Sequence, residues 1–309
     1  MSNSFKNRVF GCVIIKSINS NYNADFSHQP RTLPNGVVYA TDKALKWSVR
    51  NYWKNALSEK VFYSKSLTDE MSPRTLDETY EFHFGEFKGK DKELRINILK
   101  NILSCLDVRL FGGTYAGKTN IAGKTNISIH GTCQITHGVN RFPENVIYTE
   151  QIMSPFRNSG EKNTDSTMTT LGTQSKLQEG HYVHHFSINP QNIAEDAKRV
   201  QSEGLSLSDI EKLKEALRKG VSYYDSAAKA GTENELLLWV QLKEGSKVVL
   251  PSFVELVSVN ENREIDLSQI KALLEKEAIK NEIEKVELYY NQQLTKVIGE
   301  PENALKSDL

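Results

Sequence analysis

Leu106-Asp107-Val108-Arg109-Leu110-Phe111-Gly112-Gly113-Thr114-Tyr115-Ala116-Gly117-Lys118-Thr119 is the stretch whose reading decides the fold. Residues 112–119 match the phosphate-loop pattern GxxxxGK[ST], which in a nucleotide hydrolase joins a strand to a helix. The helix N-terminus then supplies amides and dipole to the phosphates. The flanks argue against that arrangement. Asp91 to Leu106 reads as a helix, with Leu94, Ile98, Ile102 and Leu106 recurring at spacing four. Only Val108 to Phe111 remains for a preceding strand. Asn120 to Gly131 is punctuated by glycine, rich in β-branched residues and alternating, so it predicts strand or loop where a helix is required. A Gly-rich loop fits the stretch better than a nucleotide hydrolase does.

Working outward, Val9 to Ile18 predicts a central strand, and Asn19 to Gly36 an irregular polar loop. Thr41 or Asp42 caps a helix to about Leu57, with Leu45, Val49, Tyr52, Trp53 and Leu57 facing the core. Its other face carries Lys43, Lys46, Arg50 and Lys54, three or four residues apart, as a cationic stripe. Strands are expected at Ile127 to Ile135, Tyr182 to Ile188, Glu235 to Leu242, Lys247 to Val259 and Glu282 to Tyr290. Helices are expected at Leu207 to Lys219 and Asp266 to Lys280. Residues 151–179 contain a polar run poor in large apolar residues, the signature of a binding loop or a disordered segment. The strands look like hairpin partners more than parallel neighbours. The fold class is therefore α+β, with sheets covered by helices on one face.

With 309 residues the chain can bury one large core or two. Formal net charge is zero, but its distribution is uneven. Residues 6–58 hold eight Lys/Arg against Asp25 and Asp42, residues 108–143 hold no acid, and residues 191–309 hold 22 acids against 16 bases. That asymmetry predicts a basic face on the N-terminal half. Cys12, Cys105 and Cys133 are scattered and odd in number, which fits buried thiols in a reducing compartment. No signal segment or membrane-length apolar run is seen, so cytoplasm is the expected location, without a membrane partner.

Three enzymatic constellations can be drawn. One is the phosphate loop at 112–119. A second is a metal-dependent nuclease using Asp25 with His181, His184 and His185. The third is an acid/base pair, Asp25 with His28 or Asp107 with Arg109. In a strand, alternation puts His181 and His185 on one face and His184 on the other, which argues against one metal site. Asp107 reads better as an anchor for the Gly-rich loop, accepting backbone amides or pairing with Arg109. A polynucleotide reading uses more of the residues. Lys43, Lys46, Arg50, Lys118, Lys124 and Arg141 are the natural phosphate contacts. Asn23, Asn120, Asn126, Gln134 and His137 supply neutral donors, and Gly-rich backbone allows close approach to a strand.

The order and spacing of several pieces resemble one family. They are Asn23-Ala24-Asp25-Phe26 after the first strand, Val38 to Trp53, Leu106 to Gly113, and Gly131-Thr132-Cys133-Gln134-Ile135. Gly180 to Pro190, Gly204 to Asp209 and Gly220 to Leu242 follow. Together they resemble the repeated backbone subunit of type I CRISPR surveillance complexes (Cascade), most similar to the type I-B form. The resemblance implies a modified RNA-recognition-motif-like (ferredoxin-like) palm with finger and thumb insertions in a single elaborated domain. The palm is expected at about 6–58, 91–148 and 180–290, part of the finger at 59–90, and a thumb-like loop at 151–179 with Met168 as its wedge. It implies a non-catalytic subunit without a cofactor that grips CRISPR RNA by its sugar-phosphate backbone. Further expected partners are target DNA through the guide, further copies of the chain in a helical filament, and the handle-binding and large subunits. Expected backbone contacts are Asn23, His28, Arg31, Lys43, Lys46, Arg50, Lys118, Lys124, Gln134, His137 and Arg141. Asp107, Arg109, Gly112 and Gly113 are expected to hold the loop. Asn-Ala-Asp at 23–25 and Ile-Thr-His-Gly-Val-Asn-Arg at 135–141 depart from the more familiar pattern.

Overall fold

The computed structural model describes residues 4–117, 125–153 and 171–309. The chain opens with β1 (Val9–Ser20), β2 (Tyr39–Ala40), α1 (Asp42–Asn55), α2 (Leu76–Phe84), α3 (Asp91–Leu103) and α4 (Leu106–Phe111). Strands β3 (Gly112–Gly117), β4 (Thr125–His130), β5 (Cys133–Ile135), β6 (Gly138–Asn140), β7 (Ile147–Met153) and β8 (Leu171–Ile188) follow. Then come α5 (Ala194–Arg199), α6 (Leu207–Lys219), β9 (Thr232–Leu242), β10 (Ser258–Val259) and β11 (Glu264–Asp266). The last elements are α7 (Ser268–Leu274), α8 (Glu277–Lys280), β12 (Ile283–Tyr290), β13 (Lys296–Ile298) and β14 (Ala304–Ser307).

The main sheet runs β14-β12-β9-β1-β8-β6-β2, with β5 and β7 also paired to β8. All its pairings are antiparallel except β12 with β14. β1 is its axis, flanked by β9 and β8. It is apolar on both faces because both are covered. Val9, Val13 and Ile15 pack with Leu45, Val49 and Trp53 of α1 and Ile210, Leu213 and Leu217 of α6. Phe10, Cys12 and Ile14 pack with Leu250, Phe253 and Val257 and with Ile270 and Leu274 of α7. Helices α1 and α6 cover one side, and the other side is covered as well, by largely irregular chain with α7.

Several element assignments change. Val108 to Phe111 is helix; the Gly112 amide returns to the Val108 carbonyl, and Gly112 at φ +68° ends the turn. Residues 247–257 form no strand. Pro251 cannot donate to a ladder, and the Phe253 amide donates to His185 Nδ1 at 3.2 Å. The expected helix at 266–280 breaks into α7 and α8, with extended backbone at Lys276 (ψ 128°) between them. Residues 151–153 and 171–179 belong to strands: β7 and β8 pair from Ile147↔Leu177 out to Met153↔Leu171 as a two-stranded ribbon. A third cluster lies away from the sheet, in which Phe62, Tyr80 of α2, Leu94, Ile98 and Ile102 of α3, Val108, Tyr115 and Ile129 share a core with Ile193 and Val200. No helix among the described residues is long and apolar enough to cross a membrane.

Candidate nucleic-acid interface

The loop after β1 is tied to the start of α1 by one side chain. Asn23 Oδ1 accepts the Thr41 amide at 2.9 Å and the Thr41 hydroxyl at 3.1 Å. Thr41 therefore precedes α1 without capping it through its own side chain. Arg31 is held in the same loop, its Nε donating to the Ala24 carbonyl at 3.1 Å. Between this loop, α1 and residues 226–229 lies a groove of about 650 Å³, lined by Asn23, Arg31, Lys43, Trp47 and Lys229 among others, with three cations and no carboxylate. Excess positive potential in an acid-free cleft attracts a polyanion and raises its local concentration.

Further along α1 the stripe divides. Lys43 is well exposed, at 82 % of its side chain, and Lys54 is exposed. Lys46 and Arg50 are turned inward instead. Lys46 pairs with Asp42 at 3.1 Å, and its ammonium lies 5.6 Å from the Phe111 ring. Burial of Asp42 opposes its charge, but Lys46 and Lys43 outweigh that and hold its carboxyl below the ordinary range. Arg50 Nε donates to Asp107 Oδ2 at 3.2 Å, and its guanidinium lies 5.2 Å from Phe111, which stacks on Trp53. As a uniform cationic face the stripe is corrected, because part of it is used in holding α1 to α4.

Asp107 accepts backbone amides, but from residues 62 and 63 and not from the Gly-rich stretch. Fully buried, it accepts the amides of Phe62 at 2.8 Å and Tyr63 at 2.9 Å besides Arg50. Arg109 pairs with Asp209 and not with Asp107. Gly112 and Gly131 meet backbone to backbone. A Cβ on Gly112 would lie 2.3 Å from the Ile129 carbonyl oxygen and 2.4 Å from the Gly131 nitrogen. The ring of Tyr63 occupies the space beside Gly113.

Residues 134–141 scatter. Gln134 on β5 is exposed and donates to the Gly131 carbonyl at 2.9 Å. His137 stands beside the start of α1: Nδ1 accepts the Asp42 amide at 3.3 Å, and its ring is 5.5 Å from that of Tyr39. Arg141 is drawn to the other side of the sheet, donating to the Val257 carbonyl at 3.0 Å and pairing with Glu255 at 3.1 Å. His28 adopts φ +63° in a turn where Asp25 Oδ1 accepts the amides of Ser27 and Gln29, so Asp25 and His28 form no side-chain pair. Lys118, Lys124 and Met168 lie outside the described residues.

The enzymatic constellations come apart. Residues 112–117 are strand β3, preceded by helix α4 and paired antiparallel with β4, the reverse of a strand-loop-helix phosphate site. His184 and His185 lie on opposite faces of β8. Burial pushes both to about 4, the Thr136 carbonyl weakly opposing this at His184. His184 Nδ1 donates to the Thr136 carbonyl at 3.0 Å; its Nε2 is 3.4 Å from the Tyr22 hydroxyl. His181 lies between Glu235 at 2.6 Å and Glu179 at 3.3 Å. Burial opposes its charge, but these carboxylates outweigh it and raise its pKa. Among the described residues no group of three His, Cys, Asp or Glu side chains is placed to hold a metal ion.

Trp47 and Lys229 are groove residues that the sequence reading missed, and Tyr224 packs against both from beside the groove. Trp47 stands among Lys43, Lys46 and Arg50 on the polar side of α1, where an aromatic has no core to serve. That misplacement was the available signal.

Residues 7–284 match the family described as CRISPR-associated protein Cas7. Two solved chains are similar in structure. One, described as a CRISPR RNA-guided surveillance complex, pre-nicking, aligns with a TM-score of 0.59 at 12% identity, covering 98% of this chain and 96% of that one. Another, described as a CRISPR RNA-guided surveillance complex, reaches 0.49 at 12% identity, covering 96% and 94%, too weak a likeness to argue from. At such identity the first establishes a shared fold alone. Comparison with curated proteins finds no match.

Proposed function

The chain belongs to the family of CRISPR-associated protein Cas7, and from that membership we propose that it is a backbone subunit of a type I surveillance complex that binds CRISPR RNA. The observation that carries the reading is the acid-free groove holding Arg31, Lys43 and Lys229 beside the start of α1. Phosphate contacts of this kind hold a strand by charge and carry no base code. Asn23 and His137 flank the same helix start, and Gln134 is exposed on the sheet edge. We extend the contact set to Lys118 and Lys124 on the strength of the sequence alone.

The palm reading draws support from the order β9-β1-β8-β6, with α1 and α6 on one face, an arrangement suited to a modified RNA-recognition-motif-like core. The finger is assigned to residues 59–90, whose Phe62 and Tyr80 pack with Ile98 of α3, and the thumb to the ribbon of β7 and β8 with the chain between them. Copies associate along the guide and leave its bases to pair with target DNA, next to handle-binding and large subunits. Type I-B is the subtype the sequence favours. The role is non-catalytic: Asp25 spends its carboxylate on its own turn, and the three histidines are held apart.

The test is recovery of the protein from its native host followed by sequencing of bound nucleic acid. Short RNAs of uniform length that share a repeat-derived end, with several protein copies on each, are the expected result. Absence of RNA together with tight ATP binding would overturn the proposal.

A further inference from the structure

Of the three tryptophans, Trp53 and Trp239 are fully buried, whereas Trp47 is 42% exposed. An exposed indole on a lysine-rich helix face contributes nothing to the core. Its surroundings are aromatic and cationic. Tyr224 meets it at a centroid distance of 4.6 Å and an angle of 78°, and Lys229 Nζ lies 5.0 Å from its ring centroid. The same ammonium lies 5.6 Å from the Tyr224 ring and 5.9 Å from Tyr22. No carboxylate is paired with Lys229 among the described residues, and burial alone pushes its pKa below the ordinary lysine value. A cation held against rings without a counter-ion, opening on a groove with Arg31 and Lys43, is set up for an anion bonded to a flat apolar group. A nucleotide has that composition.

We infer that Trp47, Tyr224 and Lys229 form a nucleotide seat, in which the Trp47 indole stacks on one unpaired base of a single strand and Lys229 holds an adjacent phosphate. The inference rests on the RNA-binding reading above and adds a base contact to a groove otherwise described by phosphate contacts. Such a contact is indifferent to base identity, because every base offers a π-face. Lys229 is preorganised for its role. Its ammonium is already desolvated by rings, so exchanging ring contact for phosphate contact strips less water than an exposed lysine would lose. The seat also fixes register, since one base per copy is engaged at a set distance from the phosphates on Arg31 and Lys43.

The test titrates the full-length protein with oligouridylate and with an abasic chain of the same length, following tryptophan emission and filter retention together. With Trp53 and Trp239 buried, quenching by oligouridylate reports Trp47. Trp47→Ala is expected to weaken oligouridylate binding by about 5- to 150-fold while leaving abasic binding near wild type. Trp47→Phe, which keeps a ring, retains most of the affinity and guards against a folding artefact. Lys229→Met is expected to flatten the salt dependence for both ligands. Equal wild-type binding of the two ligands, with no loss in Trp47→Ala, overturns the seat and leaves the RNA-binding reading standing. Failure of the wild type to retain either ligand overturns both.

Discussion

Arg109 holds Asp209 through two parallel hydrogen bonds, Nε to Oδ2 at 2.9 Å and Nη2 to Oδ1 at 2.7 Å. The pair fastens α4 to the first turn of α6, where Asp209 also completes a capping box with Ser206. Nη1 of the same arginine donates to the carbonyls of Leu103 and Ser104, closing the end of α3. Asp209→Ala leaves a largely buried guanidinium without its carboxylate and removes a cap. The expected loss is about 3–5 kcal/mol of stability, read as a lowered urea midpoint at unchanged slope. Arg109→Lys is not expected to rescue the fold, because an ammonium cannot reproduce the planar two-bond contact.

Gly112→Ala combines a left-handed backbone position with a Cβ driven into the Ile129 carbonyl and the Gly131 amide. Strain at such a position alone costs about 1–3 kcal/mol, and the backbone contact adds to it. A clear drop in melting temperature is expected, whereas Gly113→Ala only asks the Tyr63 ring to move and is expected to cost less.

Lys43 and Arg50 lie on one side of α1 and are expected to behave differently. Lys43→Ala removes an exposed charge; RNA affinity falls, and the slope of log K against log salt decreases by about 0.7 per lost single-strand phosphate contact. Stability stays unchanged. Arg50→Ala deprives buried Asp107 of a charged partner and is expected to cost about 1.5–3 kcal/mol in chemical denaturation. An Arg50→Ala protein as stable as wild type would contradict the anchoring role.

Stability is expected to peak near neutral pH. His184 and His185 are held at about 4, below the ordinary 6.5, so the unfolded chain takes up protons first as pH falls. Their contribution is present above 6.5 and lost between 6.5 and about 4, amounting to roughly 3 kcal/mol for each. His181 acts in the opposite sense. Its raised pKa makes its contribution complete below 6.5 and lost as pH rises through the folded value. Denaturation midpoints measured across this range check both limbs. His184→Gln is expected to flatten the acid limb, and Glu235→Gln the alkaline one.

Legibility of the fold followed the strength of local pattern. β1, α1, α6 and β9 carry long apolar runs or clear helical periodicity, and each forms close to its expected limits. Val108 to Phe111 misled because four apolar-rich residues fit strand or helix equally. The deciding facts were Asp107 accepting amides from residues 62 and 63, and Gly112 closing the turn. Residues 247–257 misled for a related reason: Leu250, Phe253 and Val257 do face the sheet, but as covering chain without a ladder. At the candidate site the cations were legible as a class, and their allegiances were not. Arg50 and Arg141 find Asp107 and Glu255 through tertiary packing, which no spacing encodes, whereas Lys46 and Asp42 are an i,i+4 pair within α1 that spacing does encode. Lys229 was hidden because its meaning comes from aromatic rings contributed by three separate segments.

β8 gives the molecule a ruler. The inner part of this strand is locked between β1 and its neighbours as far as Ser20↔Leu177, while residues 171–176 pair with β7 alone. Ser175 is still tied to the body, its carbonyl accepting from Asn21 at 3.2 Å, and each residue of strand beyond it adds about 3.3 Å of reach. Because the strand is unbroken, the length of that overhang is written directly in residue count. Removing two residues from each arm would shorten the reach by about 7 Å and keep every side chain on its face, whereas removing one would turn the faces over. Reach and orientation are thus two separately adjustable quantities, encoded in the number and parity of residues between Leu171 and Leu177.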